Sequence, residues 1–274
     1  MVDYLLSRAD GLPVRPSGPW AVEKLTYVAK YQDIFATGMK KWRDRFYVDL
    51  LAGPGRCINR ESSEEFDGSP VRSLGVRFTT RIFIEADPLL ASALRTRVGV
   101  GPILIADDCT KSTVIEQVRK ETSGRDRLGL AFVDNLGLDV PFATLAALTS
   151  DRRIDLMITF QVGDLTRNIP NVLDGREDPG RFDRFFGSTG WQAVAAESMR
   201  RNASAGETAT VLLDFYARQL ETLGYPHLEH SHRLMRNSRN VPQYRLLLAG
   251  KNEKAVEFFR KIQAIDPSGQ RRLL

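Results

Sequence analysis

Five short apolar segments, separated by stretches of helical periodicity, constrain the fold of this chain more than any other feature. They lie at 46–51, 81–86, 103–106, 128–133 and 154–160. Apolar runs of this length are typical of strands buried on both faces, and their alternation with helices is typical of a parallel sheet with helices on each side. Two further strands, near 228–235 and 243–249, are predicted to close the sheet as an antiparallel pair.

The fold predicted from this pattern is α/β, with a mainly parallel seven-stranded sheet, an antiparallel last strand and helical insertions. Residues 1–18 are rich in glycine and proline and are expected to be irregular, and the polar stretch 56–68 is expected to lie outside the core. We expect three parts in the chain: an N-terminal helical segment at 1–45, the sheet domain at 46–250 with a helical insertion at about 161–205, and a C-terminal helix and tail at 251–274.

The composition is that of a globular protein, with 42% hydrophobic and 27% charged residues in 274 positions. No apolar run is long enough to span a bilayer and the N-terminus lacks a signal-peptide pattern, so we expect a cytoplasmic protein. The two cysteines, Cys57 and Cys109, are too few for a disulfide framework. The net charge of +5 permits a polyanionic partner such as nucleic acid, although many enzymes carry as much.

Acidic side chains follow the first four predicted strands, at the point where each strand ends. They are Asp49, Glu85, Asp107 with Asp108, and Asp134. In an open α/β sheet, ligands bind outside the carboxyl ends of the strands, where neighbouring connections diverge. Because one such carboxylate is easily a helix cap but four in order are not, we expect a ligand site at this edge of the sheet.

The loop after the first strand, Asp49-Leu50-Leu51-Ala52-Gly53-Pro54-Gly55, is predicted to hold a nucleoside that carries a positive charge. Gly53 and Gly55 let the backbone approach a ligand closely, since a Cβ atom would collide with it. Glu85 is placed to accept the ribose hydroxyls, and Asp49 to pair with an ammonium group. Asp108, or its neighbour Asp107, is placed to accept the adenine amino group.

Two further features bear on the identity of this ligand. A dinucleotide fingerprint would have a third glycine at position 58, where the chain has Ile58, and this disfavours a nicotinamide-dependent oxidoreductase. His227, His230 and His232 lie together, but no separate cysteine or histidine completes a metal site, so we expect no bound metal.

A family resemblance is carried by several motifs in order. They are Asp49-x-x-Ala-Gly-Pro-Gly55, Phe83-Ile84-Glu85, Asp108-Cys109, Asp134-x-x-Gly137, Phe185-Phe186-Gly187-x-x-x-Trp191 and Tyr244-x-Leu246. From Trp20 to about Ile262 the chain resembles the three-Cys-motif partner protein family. The resemblance implies a Rossmann-like class I methyltransferase fold, a site for S-adenosylmethionine, and a partner protein with a three-cysteine motif.

The loop after the fourth strand departs from that family. It has Asp134-Asn135-Leu136-Gly137, where the family tends to have Asp-Pro-aromatic-Gly. Leu136 cannot stack on a base, yet Asp134 and Asn135 can still hold or deprotonate a polar acceptor and are the candidate catalytic residues. Two functions therefore stay open: methyl transfer to an unidentified acceptor, or a non-catalytic nucleotide-binding adaptor or sensor.

A basic cluster, Lys40, Lys41, Arg43 and Arg45, precedes the first strand. Its plainer interpretation is the solvated end of a helix. The alternative is a phosphate-facing patch beside the active site.

Overall fold

The computed structural model describes residues 4–230 and 234–264. Its strands are β1 (Leu5–Leu6), β2 (Pro13–Ser17), β3 (Asp44–Asp49), β4 (Arg56–Asn59), β5 (Glu65–Asp67), β6 (Thr80–Ile84), β7 (Ile103–Ile105), β8 (Arg127–Val133), β9 (Ile154–Phe160), β10 (His227–His230), β11 (Met235–Arg236) and β12 (Pro242–Gly250). Its helices are α1 (Trp20–Gly38), α2 (Ser69–Ser73), α3 (Pro88–Val98), α4 (Ser112–Glu121), α5 (Phe142–Thr149), α6 (Val162–Leu173), α7 (Gly180–Phe186), α8 (Trp191–Arg200), α9 (Ala205–Thr222) and α10 (Glu253–Gln263).

The main sheet has the order β10-β12-β9-β8-β3-β6-β7, and the short strand β11 also pairs with β12. The central strands are parallel, whereas β12 runs antiparallel to both β9 and β10. The prediction of a mainly parallel seven-stranded sheet with an antiparallel last strand is confirmed. Because the chain builds outward from β3 first through β6 and β7 and then through β8 and β9, β3 borders the topological switch point where such sheets bind ligands.

Apolar side chains alternate across the sheet and form a core on each face. Val48 and Ile82 belong to the core under α4 to α9, while Tyr47 and Phe83 belong to the core under α1 and α10. The aromatic residues of the 161–205 segment lie in the first of these cores, where the Phe185 ring stacks on Tyr216 with centroids 4.7 Å apart. That segment is helical, as its pattern predicts, and its large side chains fill the core.

A second, four-stranded sheet lies beside the main one, in the order β1-β2-β4-β5. The expectation that residues 1–18 are irregular was wrong, since β2 pairs in parallel with β4 through Arg15 and Cys57. The polar stretch 56–68 contains the antiparallel pair β4 and β5, whose ends are joined by a hydrogen bond from the Gly68 N–H to the Gly55 carbonyl. These strands are short and contain two prolines, so their pairing depends on contacts distant in sequence, which a local pattern does not show.

Among the described residues, no helix has the length and apolar character needed to cross a bilayer. No observation tests the division into 1–45, 46–250 and 251–274, which stays a prediction.

Candidate functional site

The glycine loop begins where β3 ends, at the ligand-binding edge of the sheet. Gly53 and Gly55 have φ angles of 65° and 83°, a conformation that residues with a side chain rarely adopt. A Cβ atom on Gly55 would lie 2.9 Å from Leu94 Cδ1, so this glycine lets the loop pack on α3. A Cβ atom on Gly53 would lie 3.6 Å from the guanidinium carbon of Arg15, so this glycine faces β2.

Glu85 follows β6 and ties the glycine loop to the neighbouring strand end. Its Oε2 atom accepts a hydrogen bond of 2.8 Å from the Gly53 N–H, and its Oε1 atom accepts one of 2.9 Å from the Asp87 N–H. The side chain is buried, and the guanidinium of Arg15 lies 4.0 Å from Oε2. The sequence prediction placed Glu85 against a ribose, and the structure brings its carboxylate to the glycine loop.

Asp49 lies inside the protein at the end of β3. The Tyr47 hydroxyl donates a hydrogen bond of 3.1 Å to its Oδ2 atom. Burial raises the pKa of Asp49 to about 7, an effect that the Ser69 hydroxyl opposes and the nearby charge of Asp134 reinforces. An ammonium group beside Asp49 would favour its ionised form, as the predicted pairing requires.

Asp107 and Asp108 follow β7, and their carboxylates accept hydrogen bonds from neighbouring residues. Asp107 accepts hydrogen bonds from the Asp108 N–H at 2.8 Å and from the Lys111 ammonium at 2.6 Å, and this lysine lowers the pKa of Asp107. The Asp108 carboxylate accepts the Thr110 N–H at 2.8 Å. Neither residue lines the cavity at the glycine loop, so their predicted contact with adenine stays a prediction.

The cavity at the glycine loop brings several predicted residues together. It is lined by Ala52, Gly53, Pro54, Gly55 and Asp134. The structure adds Arg15, Ser17 and Lys24, which cover this loop from β2 and α1. The cavity measures about 50 Å³, and it adjoins a cleft of about 460 Å³ lined by the same three residues. The cavity alone is smaller than the roughly 300–1,000 Å³ of small-molecule pockets, whereas the adjoining cleft falls within that range.

Lys24 is the functional candidate that the sequence analysis missed. Its Nζ atom lies 2.5 and 2.6 Å from the two carboxylate oxygens of Asp134, which also accepts a hydrogen bond of 2.9 Å from the Thr159 hydroxyl. Lys24 is buried and its ammonium lies 5.1 Å from the centre of the Tyr244 ring. The signal was present, because Lys24 falls between Ala21 and Val28 on the apolar face of α1, where a charged residue needs a partner.

Asn135 does not join Asp134 at the cavity, because its polar groups make hydrogen bonds that hold the loop. Its side-chain oxygen accepts a hydrogen bond of 3.1 Å from the Val140 N–H, and its carbonyl accepts one from the Gln161 amide. Asn135 is buried and lines neither cavity, whereas Leu136 is 61% exposed and lines both. The proposed catalytic pair thus meets the cavity through Asp134 alone, and the role of Asn135 stays a prediction.

Among the described histidines and cysteines, Cys57 lines the glycine-loop cavity and the others do not. His227 and His230 lie on β10, and His232 is outside the described residues. Burial raises the pKa of both cysteine thiols, that of Cys109 to about 12, so neither thiol is an activated nucleophile.

Comparisons with known proteins agree with this topology. No family model matches the sequence, and no curated protein matches it. The chain is similar in structure to a Legionella pneumophila protein of family DUF519, with 9% identity, a TM-score of 0.51 and coverage of 93% of this chain and 95% of that one. It is also similar to Trm1 from Pyrococcus horikoshii, solved with S-adenosyl-L-methionine, with 12% identity, a TM-score of 0.49 and coverage of 93% and 61%.

An O-methyltransferase from Bacillus cereus, solved with SAH, has 12% identity, a TM-score of 0.45 and coverage of 88% and 86%. At such identities, similarity concerns the fold alone. The chain has a Rossmann-like α/β fold, with a mainly parallel sheet covered by helices.

Proposed function

We propose that this protein binds S-adenosylmethionine over the Gly53–Gly55 loop and transfers its methyl group to an acceptor held near Asp134. The observation that carries the proposal is the pair of hydrogen bonds by which Glu85 joins the glycine loop to the end of the next strand. This arrangement lies at the topological switch point, and a buried carboxylate there supports the proposed contact with the ribose hydroxyls. The fold supports the same class of function.

Each predicted cofactor residue has a proposed role. Ala52, Gly53, Pro54 and Gly55 line the cavity and offer backbone to the ligand, and Glu85 accepts the ribose hydroxyls. The ionised carboxylate of Asp49 holds the ammonium of the methionine moiety. Asp108, with Asp107 beside it, accepts the adenine amino group, although neither residue lines the cavity.

When bound, S-adenosylmethionine supplies an electrophilic methyl group on a sulfonium sulfur. In a transfer, the acceptor's lone pair would form the bond to the methyl carbon, and the sulfur would keep the electron pair of the broken sulfur–carbon bond. Asp134 orients the acceptor and takes up its proton after Lys24 has moved away from the carboxylate. Asn135 keeps the loop in place through Val140.

A second candidate function, a non-catalytic nucleotide-binding adaptor, is favoured by one observation. The Asp134 carboxylate, which is the candidate for holding an acceptor, is paired with the Lys24 ammonium. A nicotinamide-dependent oxidoreductase is disfavoured, because the glycine loop leads into strand β4, which contains Ile58, and not into a phosphate-binding helix. Cofactor binding without transfer of a labelled methyl group to any fraction of a cell extract would favour the adaptor.

We propose the partner from the sequence resemblance, and we propose a compartment for the protein. A protein with a three-cysteine motif is the expected partner, and the cytoplasm is the expected compartment. Co-purification of the tagged protein with a three-cysteine-motif protein tests the first, and fractionation of the cell tests the second.

Calorimetric titration with S-adenosylmethionine tests the proposed function. We expect one site per chain in the wild type and at least about tenfold weaker binding in Glu85→Gln, since each lost charge-assisted hydrogen bond costs roughly 1.5–3 kcal/mol. Glu116→Gln, an exposed change on α4, is the matched control and should bind normally. Thermal unfolding reports separately on the backbone hydrogen bond that Glu85→Gln loses. Absence of binding by the wild type would overturn the proposal.

A further inference from the structure

A second cavity opens at the opposite edge of the main sheet, where β3, β8 and β9 begin. It is a groove of about 950 Å³, larger than either cavity at the glycine loop. We call it the basic groove, because its lining includes Trp42, Arg125, Arg127, Arg152, Arg153 and Lys251. The six residues of β3 separate it from the glycine loop by about 20 Å at ~3.3 Å per residue.

The charge in the basic groove is strongly unbalanced. Five cationic side chains line it, against two carboxylates, Asp126 and Asp151. The exposed residues Lys40, Lys41 and Arg43 precede β3 beside Trp42 and add further positive charge. The alternative interpretation of this cluster, a phosphate-facing patch beside the active site, was wrong in its location, because the cluster and the candidate site lie at opposite ends of β3.

Backbone carbonyls fix several of these guanidinium groups without neutralising them. Arg152 donates to the Thr122 carbonyl at 3.0 Å, and Arg153 donates to the Arg125 carbonyl at 3.0 Å. Arg119, beside them, donates to the carbonyls of Ala147 and Ser150. A carbonyl carries no net charge, and a guanidinium has five N–H donors, so positive charge and unused donors remain in the groove.

The cations also lie close enough to repel one another. Burial lowers the pKa of Arg152, and the guanidinium groups of Arg119 and Arg127 lower it further. Asp44 relieves part of this repulsion through Arg127, with 3.7 Å between Nε and the carboxylate. An anion in the groove would relieve the rest.

Trp42 gives the groove an aromatic surface. The guanidinium carbon of Arg153 lies 5.0 Å from the centre of the Trp42 ring, and the Lys41 ammonium lies 5.8 Å from it. Arginine recognises phosphate through paired hydrogen bonds, and aromatic rings beside cationic grooves stack with bases. A concave recess of this kind suits a chain-like polyanion better than a flat lipid surface.

We propose that the basic groove binds the phosphate backbone of single-stranded nucleic acid. The basic groove is separate from the cofactor loop, so nucleic-acid binding is measured without S-adenosylmethionine. A failure of the groove to bind nucleic acid leaves the proposed function intact.

Fluorescence anisotropy with a labelled single-stranded RNA of ~20 nucleotides tests this proposal. The test variant is Arg125→Gln/Arg153→Gln, which changes two exposed side chains of the groove. The matched control is Arg200→Gln/Arg201→Gln, which removes the same charge from side chains that are 74% and 76% exposed at the end of α8. We expect the test variant to bind at least about tenfold more weakly, with a salt slope lower by about 1.4, and the control to bind normally.

Three results would overturn the proposal. They are no RNA binding by the wild type at low salt, an equal loss in the control variant, and equally effective competition by polyglutamate of the same charge. The last result would assign the groove to an acidic peptide, and an equal loss in the control would show that only net charge matters.

Discussion

Lys24 and Asp134, 110 residues apart in sequence, form a two-pronged ion pair at the mouth of the candidate cavity, with 2.5 and 2.6 Å between Nζ and the carboxylate oxygens. Their side chains are only 8% and 17% exposed. The pair therefore joins α1 to the end of β8 in a poorly solvated place. It also decides how Asp134 can serve an acceptor, because the carboxylate is free only when the lysine moves.

Removing one member of this pair should destabilise the fold. We expect Lys24→Met to lower the free energy of unfolding by about 3 kcal/mol, since it leaves a carboxylate unpaired in a buried site. The double variant Lys24→Met/Asp134→Leu should recover part of that loss, because no charge is left without a partner. Urea denaturation of the wild type, both single variants and the double variant gives the coupling energy. Strict additivity would show that the two side chains do not interact.

Binding of S-adenosylmethionine should strengthen as the pH rises through neutrality. Burial raises the pKa of Asp49 to about 7, and the ligand's ammonium requires the ionised carboxylate. A proton is therefore released on binding, and the affinity should rise about tenfold between about pH 6 and pH 8. In Asp49→Asn this pH dependence should disappear and binding should be weaker. Calorimetry in buffers of different ionisation enthalpy counts the released protons, and affinity independent of pH in the wild type would exclude this role for Asp49.

Gly55 and Gly99 make a matched pair for testing the loop geometry. Both have positive φ angles, 83° and 67°, but a Cβ atom on Gly55 would lie 2.9 Å from Leu94 Cδ1, whereas one on Gly99 would meet nothing within 4 Å. Gly99→Ala should cost about 1–3 kcal/mol for backbone strain, because its ψ angle of −149° at positive φ is essentially restricted to glycine. Gly55→Ala should cost at least ~1 kcal/mol more for overpacking. Chemical denaturation measures both. Equal losses would mean that the loop does not pack on α3 as described.

Much of the main sheet could be predicted from sequence, because each of its strands is recognisable from its local sequence pattern. Val48, Ile82 and Ile105 lie in continuous apolar runs that only a doubly covered sheet needs. The small second sheet could not be predicted, since β2 contains Pro13 and Pro16 and pairs with β4 about 40 residues later. Its strands have no apolar alternation of their own.

Only those residues of the candidate site that lie at strand ends could be predicted from sequence. Asp49, Glu85 and Asp134 follow buried strands, so their common edge follows from parallel pairing. Lys24 reaches the site from a helix, and only its place on an apolar face indicated it. Arg15 reaches it from β2, which local patterns did not predict. Asn135 adjoins Asp134 in sequence, but its side chain points into the loop. This orientation depends on the hydrogen bond that Asn135 accepts from the Val140 N–H.

The most direct test of the central claim is a crystal structure of the protein soaked with S-adenosylhomocysteine, the product of the proposed reaction. We expect ligand density over Gly53 and Gly55, with the ribose hydroxyls within hydrogen-bond distance of the Glu85 carboxylate and Arg15 displaced from it. Density in another cavity, or none at a saturating concentration in crystals whose glycine loop is open to solvent, would contradict it.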